Sequence, residues 1–369
     1  MKKTLFIFSL LVFTNSIFSQ IYEFQTIKDI EGTPVISQDQ TGTCWSFSTT
    51  SFLESEIIRL TGKKINLSEM YTVRSIYPKK AWNYVMRQGK AQFGEGGLAH
   101  DVINSAVENG VVPENIYTGL TENQATYNHA EMVAVMEAML KVYITNPGKK
   151  LSPQWKEAIA SVLDVYLGEI PTDFIFDGKK YTPKSFFESL KINPNAYITI
   201  SSFSHEPIYK SFVLDIPDNF SNGKFYNLPL EEYVENIDNA LENGYTLSLD
   251  CDVSEATFSG KNGIAVIPAN DEDAKLILTE IKPEKNISVA YRQAEFENFA
   301  TQDDHLMHII GKVKDQKGTQ YYKVKNSWGL SSKNKGFVYM SVAYLKLKSI
   351  SVLLHKDGLL KKTKTNLGL

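Results

Sequence analysis

The stretch Gln38-Asp39-Gln40-Thr41-Gly42-Thr43-Cys44-Trp45-Ser46-Phe47 runs a polar, glycine-containing turn straight into an apolar-periodic segment, with a lone cysteine at the junction. Trp45, Thr49, Phe52, Leu53, Ile57 and Leu60 recur at helical spacing, and Gly62 stands where a C-cap glycine would. The pattern predicts a helix that opens on Cys44 and buries one face. A thiol in that first turn meets unpaired backbone N–H groups and the positive end of the helix dipole, which favour the thiolate. Cys44 also reads as a small core hydrophobe, because free cysteine is usually buried and inert.

The rest of the chain gives helices first and strands after. Asn66-Leu67-Ser68-Glu69-Met70-Tyr71 opens a second helix. The turn Gly94-Glu95-Gly96-Gly97 leads into a helix from Ala99 to Asn109, which Gly110 ends, with Pro113 beyond it. Residues 118–244 read as a mostly helical insertion, with amphipathic runs at Ala130–Tyr143, Trp155–Leu167 and Leu230–Leu241. Its Met132, Met136 and Met139 face reads as core packing rather than a ligand site. From Tyr245 onward strands are expected at Tyr245–Val253, Ile264–Ile267, Leu306–Val313, Tyr321–Lys325 and Gly336–Ser341. This order implies an α+β protein, built as one large domain carrying an insertion.

Residues 1–19 read as a secretion signal. Lys2 and Lys3 precede an apolar core from Leu5 to Phe13, and Ile17-Phe18-Ser19 fits a cleavage site ahead of Gln20. The apolar run is short for a bilayer span, so no stable membrane anchor is expected after its removal. The protein is expected to be exported, to the periplasm or the exterior if bacterial. With 39 basic and 42 acidic residues and no basic run, the chain gives no support to nucleic-acid binding. Export permits a disulfide between its only cysteines, Cys44 and Cys251. Alternation, however, puts Leu247, Leu249, Cys251 and Val253 on one strand face and Thr246, Ser248, Asp250 and Asp252 on the other. Cys251 therefore reads as a buried core thiol, which argues against the bridge.

A nucleophilic thiol needs a base. His305 and His308 lie on one predicted strand and, three residues apart, face opposite sides of it. That argues against a shared metal ion, and neither a metal nor a cofactor is expected. Asp315-Gln316-Lys317-Gly318 supplies a hairpin turn, so the return strand brings Asn326 roughly opposite His305. The Asn326 amide oxygen could accept the imidazole N–H, and the indole of Trp328 in Asn326-Ser327-Trp328-Gly329 could shield that bond.

This ordered set, Gln38, Cys44-Trp45, His305 and Asn326-Ser327-Trp328-Gly329, resembles the papain superfamily of cysteine peptidases. The resemblance implies a papain-like fold, with a helical N-terminal half, an antiparallel β-barrel-like C-terminal half and a mostly helical central insertion. It implies Cys44 as nucleophile, His305 as its imidazole partner and Asn326 as the group that orients it. Gln38 and the Cys44 backbone N–H would form the oxyanion hole. Trp45 and Trp328 would be supporting residues. Gly96-Gly97 is similar to the diglycine turn that offers backbone hydrogen bonds to substrate, where a side chain would obstruct close approach.

Within the superfamily the chain looks like the bleomycin hydrolase and aminopeptidase C branch. Glu95-Gly96-Gly97, Asn109-Gly110-Val111-Val112-Pro113, Leu167-Gly168-Glu169-Ile170-Pro171, Tyr181-Thr182-Pro183-Lys184-Ser185-Phe186 and Asp250-Cys251-Asp252-Val253 carry that likeness. It implies peptide substrates, an aminopeptidase of broad specificity, and a homo-oligomer, since the branch often forms hexamers. Members of that branch are generally intracellular, which the export signal here departs from. The branch holds the substrate amino group with its terminal carboxylate, a role that would fall to Leu369. The arm, residues 355–369, lacks the branch's usual ending, and a frayed terminus is an equal reading. From Leu354 to Leu369 it could span roughly 50 Å if extended, so reach is no obstacle. With the arm outside the cleft, an endopeptidase is expected instead. A non-catalytic peptide-binding scaffold and acyl transfer to an amine are the remaining alternatives.

Overall fold

A computed structural model describes residues 21–121, 124–145, 148 and 150–369. The expected signal, residues 1–19, lies outside the described residues.

The predicted helix forms as Cys44–Thr61. Gly62 ends it in the left-handed region at φ 70°, and its N–H donates to the Ile58 carbonyl at 2.8 Å. Two further helices, Glu69–Met86 and Ala99–Asn109, pack beside it. Ser68 caps the first of these by accepting from the Tyr71 N–H at 3.0 Å. Gly110 ends the second at φ 79°, where an added Cβ would lie 2.2 Å from the Pro183 carbonyl carbon. Both the backbone angle and the space there require glycine.

An eleven-stranded sheet supplies the other layer. The strand His305–Lys314 runs through its middle, antiparallel to Leu247–Cys251 on one side and Gln320–Lys325 on the other. Phe337–Ser341 continues the sheet beyond Gln320–Lys325, and Ser349–His355 continues it beyond Leu247–Cys251. The Cys44 helix lies on one face, where Leu306, Ile350 and Leu353 join the core of Trp45, Phe47 and Phe52. The helix Leu230–Glu242 lies on the opposite face, over Leu247, Leu249, Cys251, Met307, Ile309 and Val352. Each such side chain contributes about 1.5–3 kcal/mol when fully buried.

Residues 118–244 differ from expectation in their second half. The helices Ala130–Ile144 and Gln154–Leu167 form, with Met132 and Met136 in the core and Met139 packed against it. From Tyr197, however, the segment feeds the main sheet. Tyr197–Ser201 pairs with Ser349–His355, and Lys224–Asn227 and Ser211–Val213 extend the edge. Tyr197–Ser201 is buried throughout, as is all of Ser349–His355 except His355. A strand covered on both faces shows little of the polar alternation that reveals strands in a sequence.

Candidate active site

The cysteine, the histidine and the asparagine meet at one end of the sheet. Cys44 is the first residue of its helix, so its own N–H has no intrahelical partner. The Leu306 N–H points at Cys44 Sγ, 3.5 Å away, which sets the thiol against the strand one residue from His305. His305 Nε2 is 2.8 Å from Asn326 Oδ1. Since the amide oxygen only accepts, Nε2 carries the proton and Nδ1 is the basic nitrogen. The Ser327 N–H donates to the same oxygen at 2.7 Å and fixes the amide's orientation. The Trp328 ring covers the imidazole, with centroids 4.8 Å apart. His308 faces the other way, with Nδ1 2.9 Å from Ser51 Oγ of the Cys44 helix.

Gln38 is held on both sides. Its Nε2 donates to the Thr41 carbonyl at 2.6 Å, and its Oε1 accepts from Ser327 Oγ at 2.6 Å. The Gln38 N–H also donates to the Ser327 carbonyl at 2.8 Å. The loop before Cys44 is thus stitched to the loop carrying Asn326 and Trp328, and Nε2 keeps a second hydrogen for a ligand. The turn at Glu95-Gly96-Gly97 is pinned in the same way. Trp45 Nε1 donates to the Glu95 carbonyl at 2.8 Å, and the Gly42 N–H donates to Glu95 Oε2 at 2.7 Å. An added Cβ on Gly97 would stand 3.1 Å from the Trp45 ring.

Burial works against the helix terminus at Cys44. Burial pushes the Cys44 thiol up to about 12; the Leu306 N–H opposes this, and Asp303, Asp218 and Asp250 add to it. Burial lowers the His305 imidazole, against the pull of Asn326 and Asp304. The helix terminus offers the thiolate on the order of 1 kcal/mol, and desolvation outweighs it. Burial of the pair thus opposes the thiolate that the helix terminus favours. Both cysteines are free, and Cys251 is fully buried opposite His305 in the ladder.

The arm corrects one expectation. The helix Lys361–Leu367 docks on the helix Leu230–Glu242, on the sheet face away from the Cys44 helix. Thr363 Oγ1 accepts from Asn236 Nδ2 at 2.9 Å and donates to Glu232 Oε1 at 2.6 Å, and Lys362 pairs with Glu235 at 2.6 Å. Leu369 lies just past the Gly368 cap of this helix, its N–H donating to the Lys364 carbonyl at 3.0 Å, and is exposed. It does not share a site with Cys44, because the buried Thr363 fastens the arm elsewhere.

The sequence reading missed a group of acids beside the thiol, namely Asp218, Asp250 and Asp303. Its one signal was the polar face of Leu247–Cys251: that strand is buried on both sides, so Ser248 and Asp250 face protein rather than solvent.

Residues 90–368 match the model of the Peptidase C1-like family. The chain belongs to that family. It is 25% identical over 370 residues to Aminopeptidase G of Lactobacillus delbrueckii subsp. lactis, covering 89% of this chain and 82% of that one. Bleomycin hydrolase of Mus musculus is 23% identical over 372 residues, covering 86% and 79%. The crystal structure of PepW from Lactobacillus rhamnosis HN001 superposes with a TM-score of 0.74 at 18% identity, covering 93% of this chain and 84% of that one, which shows the fold. This C1-like chain is a cysteine-type peptidase of papain-like fold.

Proposed function

We propose that the protein is an aminopeptidase that cleaves peptide bonds through a thioester on Cys44. The 2.8 Å contact between His305 Nε2 and Asn326 Oδ1 carries the reading, because it leaves Nδ1 free to take a proton. In the reaction Nδ1 of His305 accepts the thiol proton as Sγ attacks the scissile carbonyl carbon. The second N–H of Gln38 Nε2 and the Cys44 N–H receive the developing oxyanion, each worth roughly 2.7–4 kcal/mol. The imidazolium then protonates the leaving amine and the thioester forms. Water, deprotonated by the same nitrogen, attacks the thioester and releases the acid and the thiol. A cleft of about 340 Å³ beside Trp328, lined by Asn326, Lys261 and Ser332, offers room for the leaving peptide.

The relatives named aminopeptidase support removal of N-terminal residues. The position of Leu369 favours an endopeptidase only if no other group holds the substrate's amino end. Comparing leucyl-amidomethylcoumarin with its N-acetyl counterpart tests the choice. Strong preference for the free amine is expected, and equal turnover of the two would leave an endopeptidase. Support for export is the pattern of residues 1–19, and mass spectrometry of the secreted protein should find Gln20 first.

A further inference from the structure

The cleft holds ionisable groups that the thioester chemistry does not use. Asp250 lies opposite Leu306 in the ladder, and the Leu306 N–H is the group that meets Cys44 Sγ. Two residues back on the same strand face, Ser248 meets Ser48 and Thr49 of the Cys44 helix at 3.1 Å. Asp250 therefore points to the thiol's side of the sheet. It is only 2% exposed. Neither of its oxygens has a hydrogen bond of ordinary geometry among the described residues, although Ser351 and Asp303 lie close by. Oδ2 of Asp303, two residues before His305, is buried in the same condition. Asp218 comes from a third segment and lies across the substrate turn: a Cβ on Gly96 would stand 1.9 Å from Asp218 Oδ2.

Three carboxylates from three segments thus lie near Cys44 and the Gly96 turn. Each raises the proton affinity of Cys44, and Asp218 raises that of Asp250 and Asp303. Lys80 is close: its ammonium donates to the Gly96 carbonyl, and its charge favours the ionised forms of Asp218 and Asp303. One lysine beside three carboxylates leaves them short of positive charge, and a second cation would lower the cost of ionising the buried pair Asp250 and Asp303. Among the described residues they form no group that could hold a metal ion. Distance suggests what fits instead. In a peptide's first residue the α-nitrogen is two bonds from the carbonyl carbon, about 2.5 Å away. With that carbon on Sγ, the nitrogen stays close to the strand end that carries Asp303 and that Asp250 faces.

We propose that Asp218 and Asp303, backed by Asp250, bind the α-ammonium group of the substrate's N-terminal residue. The proposal rests on the peptidase reading and supplies an internal anchor where Leu369 is out of place. A blocked or internal residue brings neutral atoms to the same acids and leaves them uncompensated. A bound ammonium offsets the part of the Cys44 shift that these carboxylates add to burial, so the correct substrate eases the ionisation of its own nucleophile.

The test compares Asp303→Asn and Asp218→Asn with the wild type on leucyl-amidomethylcoumarin and its N-acetyl form, with melting curves as the check on folding. For the free amine, kcat/KM is expected to fall about 10–100-fold, mainly through KM. Turnover of the blocked substrate should hold or rise, so the preference collapses. Alkylation of Cys44 by iodoacetamide, located by peptide mapping, should be faster in Asp303→Asn than in the wild type at one pH. Equal losses on both substrates, or an unchanged preference, would overturn the anchor while leaving the Cys44 chemistry standing. A wild type that cleaves neither substrate, or a Cys44→Ala variant that keeps activity, strikes the peptidase reading itself.

Discussion

The two walls of the cleft satisfy their polar groups differently. On the His305 wall the imidazole, the Asn326 amide and the Gln38 amide have partners at 2.6–2.8 Å, and a ring covers the imidazole. On the aspartate wall, both oxygens of Asp250 and Oδ2 of Asp303 are buried without an ordinary hydrogen-bond partner among the described residues. The first wall is complete before substrate arrives, as preorganised chemistry requires. The second holds acids whose ionisation burial opposes, which suits a wall that recognises rather than reacts. Under the proposed anchor, reaction and recognition fall to different side chains, although Asp303 and His305 share a segment, and separate mutations should disturb them.

The largest effect is expected on the complete wall. Cys44→Ala should lower kcat roughly 10⁵-fold or more on every substrate, with an unchanged melting curve. Gln38→Ala should lower kcat by about 10²–10³-fold for free and blocked substrates alike, leaving the preference intact. Asn326→Ala should cost about 10²-fold in kcat with little change in KM, because it frees the imidazole tautomer. If any of these shifted the preference for a free amine, the division between the walls would fail.

Effects of pH separate the walls further. His305 is lowered by burial, so it stays neutral and basic below the ordinary imidazole value of about 6.5. As pH falls through its folded value the ring takes a proton, and both kcat/KM and the stability of its burial should decline there. A pH–rate profile with its acid limb above about 6.5 would contradict this. The acids behave in the opposite sense. Asp303 is pushed up to about 7, and Asp250 is also raised, both chiefly by burial. Their folded form is most stable at low pH and loses stability as pH rises through those values. Asp250→Asn should therefore raise the melting temperature by a few degrees at pH 8 and change it little at pH 4.

The complete wall was legible in the sequence and the charged wall was not. Cys44 announces itself because a turn, a helix start and a C-cap glycine are all local signals. His305 and Asn326 are joined by one hairpin, so counting across the turn nearly gives their pairing. The ladder sets Lys325 opposite His308, with a bulge further along, so Asn326 reaches the ring diagonally. Asp218, Asp250 and Asp303 lie on segments that only the tertiary fold brings together. The strands Tyr197–Ser201 and Ser349–His355 were hidden for another reason: burial on both faces removes alternation. Leu369 was misplaced because Thr363, an unremarkable polar residue in sequence, locks into Asn236 and Glu232.

The docking of the last helix has a practical corollary. Whatever is joined after Leu369 emerges on the flank of the sheet remote from the nucleophile. An affinity handle, a reporter domain or a resin linker attached there has no short path into the cleft. The enzyme can be immobilised by its tail with its mouth turned to the solution, and its turnover should match that of the untethered form.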